Sequence, residues 1–382
     1  MNPAPQLHWQ EGGAGHSARW RSEAGVPPPA RVQPADDTLA ADAAYRLVCE
    51  GTALLWRGDF QNARQLLQAL ARRIDRKPRN AAAAAPLPPA QLFHQHRQAQ
   101  GRRARLLAML LIPLQPDYGI PLRRAPDLRQ ACTEAWGPGD AQASVASLRE
   151  LLGLVGAHEW RKKGVEIPAL GPPPGNRIHA HYGVFSPVRG EYLDLLARAP
   201  LPSTALAFDI GTGTGVVAAL LARRGVQRVV ATDLDPRALA CARDNLERLG
   251  VAGQVELLQA DLFPPGQAPL VVCNPPWLPA RPSSPIEHAV YDEDSRMLRG
   301  FLQGLRAHLA PGGEGWLVLS DLAEHLGLRA QGELQSQLAA AGLRVLDRKT
   351  IKPRHPKAAD AADPLAQARS REVTSLWRLV AA

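Results

Sequence analysis

Cysteine is scarce. The 382-residue chain has four (Cys49, Cys132, Cys241 and Cys273), scattered and never in a C-x-x-C pair. That spacing offers neither a disulfide framework nor a structural zinc site, and it suits reduced thiols in the cytoplasm. Long apolar runs are also absent. The longest, Leu106 to Leu114, is interrupted by Pro113 and is too short to span a bilayer. Met1 to Gln10 has neither a basic start nor an apolar core, so a secretory signal is not expected. Two nucleotide signatures are missing. No G-x-x-x-x-G-K-[ST] occurs, which argues against a nucleoside triphosphate. The glycine-rich turn at 211–215 has Val216 where the dinucleotide fingerprint wants glycine. His179-x-His181 is followed by no third ligand at useful spacing, so no metal is expected.

The remaining composition is that of a globular protein. Hydrophobic residues make up 45% of the chain, ample for a core, and the length suggests two domains. The net charge of +9 is uneven. Residues 1–180 hold 23 Lys and Arg against 15 Asp and Glu, while residues 181–382 hold 22 against 21. A basic front half suits RNA, DNA or another anionic partner, or is simply a solvated surface.

In chain order, residues 1–35 are rich in Gly, Pro and Ala without periodicity and read as a disordered tail. Helical spacing then appears at Leu39, Ala43, Leu47 and Val48, and again from Asp59 to Arg76. Pro78 to Pro89 reads as a linker. Further helices are expected at Ala90–Leu111, Pro126–Trp136 and Asp140–Trp160. The expectation is an all-helical N-terminal domain, residues 36–175, that recognises the acceptor. The run Gly171-Pro172-Pro173-Pro174-Gly175 closes it.

The segment from Arg177 to Phe185 alternates like a strand or hairpin, and Pro187, Arg189, Glu191 and Tyr192 lead into a helix. Leu206-Ala207-Phe208 then runs into Asp209-Ile210-Gly211-Thr212-Gly213-Thr214-Gly215, followed by the apolar helix from Val216. Strand, glycine turn and helix form the first unit of a doubly wound nucleotide-binding sheet. The second strand ends on Asp233, placed to grip ribose hydroxyls; Asp235, before Pro236, is the better helix cap. The third strand is followed by Asp261 and Leu262, an acceptor for an exocyclic amine and an apolar surface for a purine. The fourth ends in Asn274-Pro275-Pro276-Trp277. The Asn274 carboxamide oxygen and the Pro275 carbonyl can both accept from one NH2 group, the two prolines narrow the turn, and Trp277 offers a flat face to a planar group.

Together, Asp209–Gly215, Asp233, Asp261 and Asn274–Trp277 resemble a class I S-adenosylmethionine-dependent methyltransferase. Within that superfamily they resemble the small methyltransferase domain group. That group includes HemK-type glutamine methyltransferases and enzymes that methylate adenine N6 or guanine N2 in nucleic acids. The resemblance covers residues 176–382. It implies a Rossmann-like α/β fold with a seven-stranded sheet whose last strands are Trp316–Ser320, Leu343–Ile351 and Glu372–Val380. The stretch from Lys352 to Arg371 would be a polar linker.

The cofactor implied is S-adenosyl-L-methionine, held by Asp209, Gly211, Thr212, Gly213, Thr214, Gly215, Asp233, Asp261, Leu262 and Asn274. The acceptor would meet Asn274, Pro275, Pro276 and Trp277, with Asn274, Pro275 and Trp277 catalytic. HemK-type enzymes carry tyrosine where this chain has Trp277. The expected acceptor is therefore a planar amide or amine in a translation-related protein or an RNA. A protein glutamine is favoured, and a nucleic-acid amine is the alternative. Residues Ser283 to Leu298, with His288, Tyr291 and Asp292, form either a lid or an ordinary helix lead-in. The intact motif set argues against a non-catalytic binding protein, and no membrane partner is expected.

Overall fold

The computed structural model describes residues 4–76, 87–282, 285–353 and 363–382. The chain divides into two compact units, one of Met1–Leu87 with His94–Glu159 and the other of Pro88–Phe93 with Trp160–Ala382. The division falls at Trp160, earlier than the Gly171–Gly175 run.

The first unit is not all-helical, and its first 35 residues are not a tail. It contains a six-stranded mixed sheet built from β1 (Gln6–Glu11), β2 (Ala14–Arg21), β3 (Arg31–Ala35), β4 (Thr52–Trp56), β5 (Leu110–Leu114) and β6 (Ser144–Ser147). Their order is β1-β2-β6-β5-β4-β3. The missed strands have separate physical causes. β4 and β5 are five-residue runs with four buried apolar residues each, which carry no period of two. β5 follows the helix Pro89–Leu107 so closely that the two read as one longer helix. β1 and β2 are joined by Gly12 and Gly13, both at positive φ (59° and 80°). That is a two-residue glycine hairpin, and it pulls Leu7 and Trp20 into a core with Leu55 and Leu111. The helices Ala41–Cys49 and Phe60–Ile74 form as their spacing requires, the second capped by the Asp59 carboxylate. Most of the Pro78–Pro89 linker lies outside the described residues.

The second unit holds a short ribbon, β7 (Val165–Glu166) with β8 (Arg177–Ile178), and a seven-stranded sheet. The sheet strands are β9 (Leu206–Ile210), β10 (Arg228–Asp233), β11 (Val255–Gln259), β12 (Ala268–Cys273), β13 (Leu309–Ser320), β14 (Leu343–Ile351) and β15 (Thr374–Ala381). They lie in the order β11-β10-β9-β12-β13-β15-β14. β9 to β13 pair in parallel, and β15 runs antiparallel to both neighbours.

The central strands bury both faces, with successive residues alternating sides. Ala207, Leu270, Val272, Trp316 and Val318 pack under the helices Glu191–Arg198, Val216–Arg223 and Pro236–Arg248. Phe208, Ile210, Val271, Cys273, Leu317 and Leu319 pack under Arg296–His308 and Glu333–Ala340. Ile167 and Leu170, which precede the proline run, belong to the first of these cores. Of the expected linker from Lys352 to Arg371, residues 354–362 lie outside the described residues, and Ala366–Arg371 is a helix. Among the described residues no helix is long and apolar enough to cross a membrane.

Candidate active site at the switch point of the sheet

From β9 the chain steps outward to β10 and β11, then crosses back to β12 on the other side of β9. The carboxyl ends of β9 and β12 therefore flank the point where strand order reverses, the place where such sheets form a ligand crevice. Register pairs Ile210 with Cys273, so Gly211 and Asn274 leave the sheet side by side. A cavity of about 1180 Å³ opens there. Every site residue expected from the sequence lines it except Gly215.

The glycine turn depends on positive φ at Gly211 (72°), Gly213 (54°) and Gly215 (79°), a region that suits glycine. Two of the three are also crowded. A Cβ on Gly211 would stand 2.4 Å from Met297 Cε, and one on Gly215 would stand 3.1 Å from Ala242 Cβ. Gly213 differs: a Cβ there would meet nothing within 4 Å, so its backbone faces the cavity. Inside the turn, Asp209 Oδ2 accepts from Thr212 Oγ1 at 2.6 Å and from the Ala218 amide at 3.1 Å. Asp209 is 2% exposed. Burial pushes its carboxyl up to about 7, against the pull of those two donors. The Thr214 side chain is buried, and its carbonyl accepts from Asn245 Nδ2.

Asp233 ends β10 and closes the turn from the other side. Its Oδ2 accepts from the Gly213 amide at 2.9 Å, and its Oδ1 accepts from the Asp235 amide. Burial raises its carboxyl as well. Asp235 caps the next helix through the Arg237 amide. Asp261 lies at the rim with its carboxylate paired to Arg296 at 2.5 Å, both side chains more than half exposed. Leu262 adopts φ 75°, and its carbonyl accepts from Thr232 Oγ1.

On the other wall, the Asn274 carboxamide oxygen accepts from Trp277 Nε1 at 3.0 Å. Trp277 also has Arg189 over its ring, 5.6 Å from the centroid. Tyr192 is buried in the same wall, and burial followed by the Asp209 charge pushes its hydroxyl up. Arg189, Tyr192 and the partner of Arg189, Glu372, had no role assigned from sequence. For the first two the signal was their place just before the glycine turn; Glu372 gave none.

Ser283 lies outside the described residues. Beyond it, His288 and Tyr291 line the cavity. The Leu278 amide donates to the Val290 carbonyl and the Asp292 amide to the Leu278 carbonyl, which ties this segment back to the motif. Asp292 Oδ2 accepts from the Met297 and Leu298 amides at the start of the next helix. His179 and His181 turn away to the Arg161 carbonyl and the Asp244 carboxylate. Among the described residues no group of His, Cys, Asp or Glu is arranged to hold a metal.

Residues 175–331 match the methyltransferase small domain family. Three relatives show what the chain is similar to. The release factor glutamine methyltransferase of Cereibacter sphaeroides is 34% identical over 36% of this chain and 55% of its own length. The ribosomal protein L11 methyltransferase of Pelotomaculum thermopropionicum is 37% identical over 37% of this chain and 39% of its own. The tRNA1(Val) (adenine(37)-N6)-methyltransferase of Shewanella loihica is 28% identical over 41% and 69%. The chain thus spans about half the length of the first of these relatives and less of the second.

Proposed function

We propose that this chain is an S-adenosylmethionine-dependent N-methyltransferase acting on a planar amide or amine nitrogen, with a protein glutamine side chain favoured. One observation carries the reading. At the switch point, a glycine turn backed by the buried Asp209 and the half-buried Asp233 stands beside Asn274-Pro275-Pro276-Trp277 in one cavity.

S-adenosylmethionine supplies a methyl group already activated on a sulfonium sulfur, so the chain's own work is binding and orientation. The residues fit such a ligand. Two carboxylates raised by burial, Asp209 and Asp233, favour a cationic guest. The open backbone at Gly213 allows close approach. Gly211 to Gly215 would hold the amino-acid end, Asp233 the ribose hydroxyls, and Asp261 and Leu262 the purine. An acceptor amide or aryl amine has its lone pair delocalised. The Asn274 oxygen and the Pro275 carbonyl accept its N–H hydrogens, holding the nitrogen with its lone pair aimed at the methyl group. Prolines 275 and 276 preorganise those acceptors, and fixed positioning lowers the barrier further. No side chain is assigned as a general base.

The glutamine methyltransferase relative supports an amide acceptor in a protein. The adenine-N6 relative and the basic first half favour the second reading, a nucleic-acid amine. Incubation of the protein with methyl-labelled S-adenosylmethionine and cell extract, followed by separate RNase, DNase and protease digestion, decides between them. The expected label survives both nucleases and is lost to protease. Loss to a nuclease would establish the second reading, and an extract that takes up no label would remove both. A free thiol at every cysteine suits a cytoplasmic setting for either.

A further inference from the structure

The Asn274 carboxamide is held by a side chain of this chain before any acceptor arrives: Trp277 Nε1 donates to its oxygen at 3.0 Å. An indole nitrogen can only donate, so the carboxamide atom facing it is the oxygen. Trp277 is itself held. The Arg189 guanidinium lies over its ring at 5.6 Å, and Arg189 Nη2 donates to Glu372 Oε1 at 2.9 Å. Glu372 is 2% exposed and takes a second hydrogen bond from Ser320 Oγ at 2.8 Å. Three separate stretches of chain therefore converge on one four-residue turn: the segment before the glycine turn, the end of β13 and the residue pair before β15.

Resting on the methyltransferase reading, we infer that Trp277 is a positioning residue. Its indole N–H fixes the rotation of the Asn274 amide, and the Arg189–Glu372 pair fixes the plane of the indole. A carboxamide is nearly symmetric in shape and opposite in polarity at its two ends. Turned over, it would present NH2 to an acceptor that is itself an NH2 group, donor against donor. With the indole in place the oxygen is set and keeps one lone pair for the acceptor. A tyrosine or phenylalanine at 277 has no indole N–H to do this, so the departure from the HemK-type pattern carries a function of its own.

The test uses the full-length 15N-labelled protein. Among its eight tryptophans, the indole N–H signal of Trp277 is the one lost in Trp277→Phe. Its solvent exchange should be slow in the wild type and about tenfold faster in Asn274→Ala, the size of one neutral hydrogen bond. Protection should persist in Asn274→Asp, because a carboxylate also accepts, and should weaken in Arg189→Ala. Trp277→Phe should lower label transfer into the extract about tenfold at saturating S-adenosylmethionine, with S-adenosylhomocysteine affinity unchanged by calorimetry. Equal exchange in wild type and Asn274→Ala, or unaltered transfer by Trp277→Phe, overturns the inference. Failure of the wild type to bind S-adenosylhomocysteine, with the exchange pattern intact, would instead sink the methyltransferase reading and leave the hydrogen-bond network standing.

Discussion

Asp209 should make the stability of this protein fall with rising pH in a window that an uncharged replacement abolishes. Its carboxyl is 2% exposed and raised to about 7 from 3.8 in the unfolded chain, with burial the first cause. Between those values the folded state binds a proton that the unfolded state has released. Stability therefore declines as pH rises from about 4 to about 7 and is flat above, the opposite of a salt-bridged carboxylate. Three pH units at 1.36 kcal/mol each give a loss of roughly 4 kcal/mol. In Asp209→Asn, the amide oxygen can still accept from Thr212 Oγ1 and the Ala218 amide, which both bind one oxygen of the native carboxylate. Other groups titrate in the same range, so the informative quantity is the difference between the two proteins. Urea unfolding at half-unit steps from pH 5 to 8 should show wild type losing stability relative to Asp209→Asn as pH rises. Parallel curves would refute the assignment of a strained buried charge. The same charge should matter to ligand binding in reverse: cationic S-adenosylmethionine favours the ionised form, so its affinity should rise with pH through about 7 in wild type and stay level in the variant.

Asp233→Ala should weaken S-adenosylhomocysteine by calorimetry about tenfold or more, since each charge-assisted hydrogen bond is worth about 1.5–3 kcal/mol and the Gly213 amide also loses its partner. Asn274→Ala should cost on the order of 100- to 1000-fold in turnover with little change in cofactor affinity, and Asn274→Asp should retain more activity; wild-type rates in both would reduce Asn274 to a turn residue. A fragment beginning at Trp160 should bind S-adenosylhomocysteine yet fail to label the physiological acceptor, whereas one beginning at Gly171 should be less stable in urea. The second fragment lacks Ile167 and Leu170, both in the core, and burial of each such side chain is worth about 1.5–3 kcal/mol.

The sheet of the second unit was legible because each of its first strands ends in a residue with a chemical reason to be there. Asp209, Asp233 and Asn274 mark three strand ends, and glycines stop the helices between them. The last strands followed from the family resemblance, with β13 starting seven residues earlier than expected. The first unit was not legible, and composition explains why. Gly12-Gly13 was counted toward disorder when it was a hairpin turn, and buried runs such as Thr52–Trp56 have no polar face to reveal their period. The residues singled out in the sequence, Gly215 excepted, meet in one cavity, yet their mutual contacts were not foreseen. Nothing in the spacing of Asn274 and Trp277 announces a hydrogen bond between them, and the Arg189–Glu372 pair joins positions 183 residues apart.

That pair also bears on which acceptor the cavity suits. Among the described residues four arginines line it, and each has at least one contact to an oxygen of this chain. Arg189 is bound to Glu372, Arg296 to Asp261, Arg369 to Asp363, and Arg299 to the Asp294 carbonyl. Among the described residues no lysine lines the cavity, whereas Asp209, Asp233, Asp235 and Glu293 do. Such a lining attracts a cationic cofactor and gives little purchase to a phosphate backbone, whose binding rests on lysine and arginine releasing counterions. The positive excess of the chain lies instead in residues 1–180. A nucleic-acid acceptor would have to gain its affinity from those residues rather than from the cavity lining. An uncharged amide needs nothing from the cavity beyond hydrogen-bond acceptors at fixed angles, the part proposed for Asn274 and Pro275.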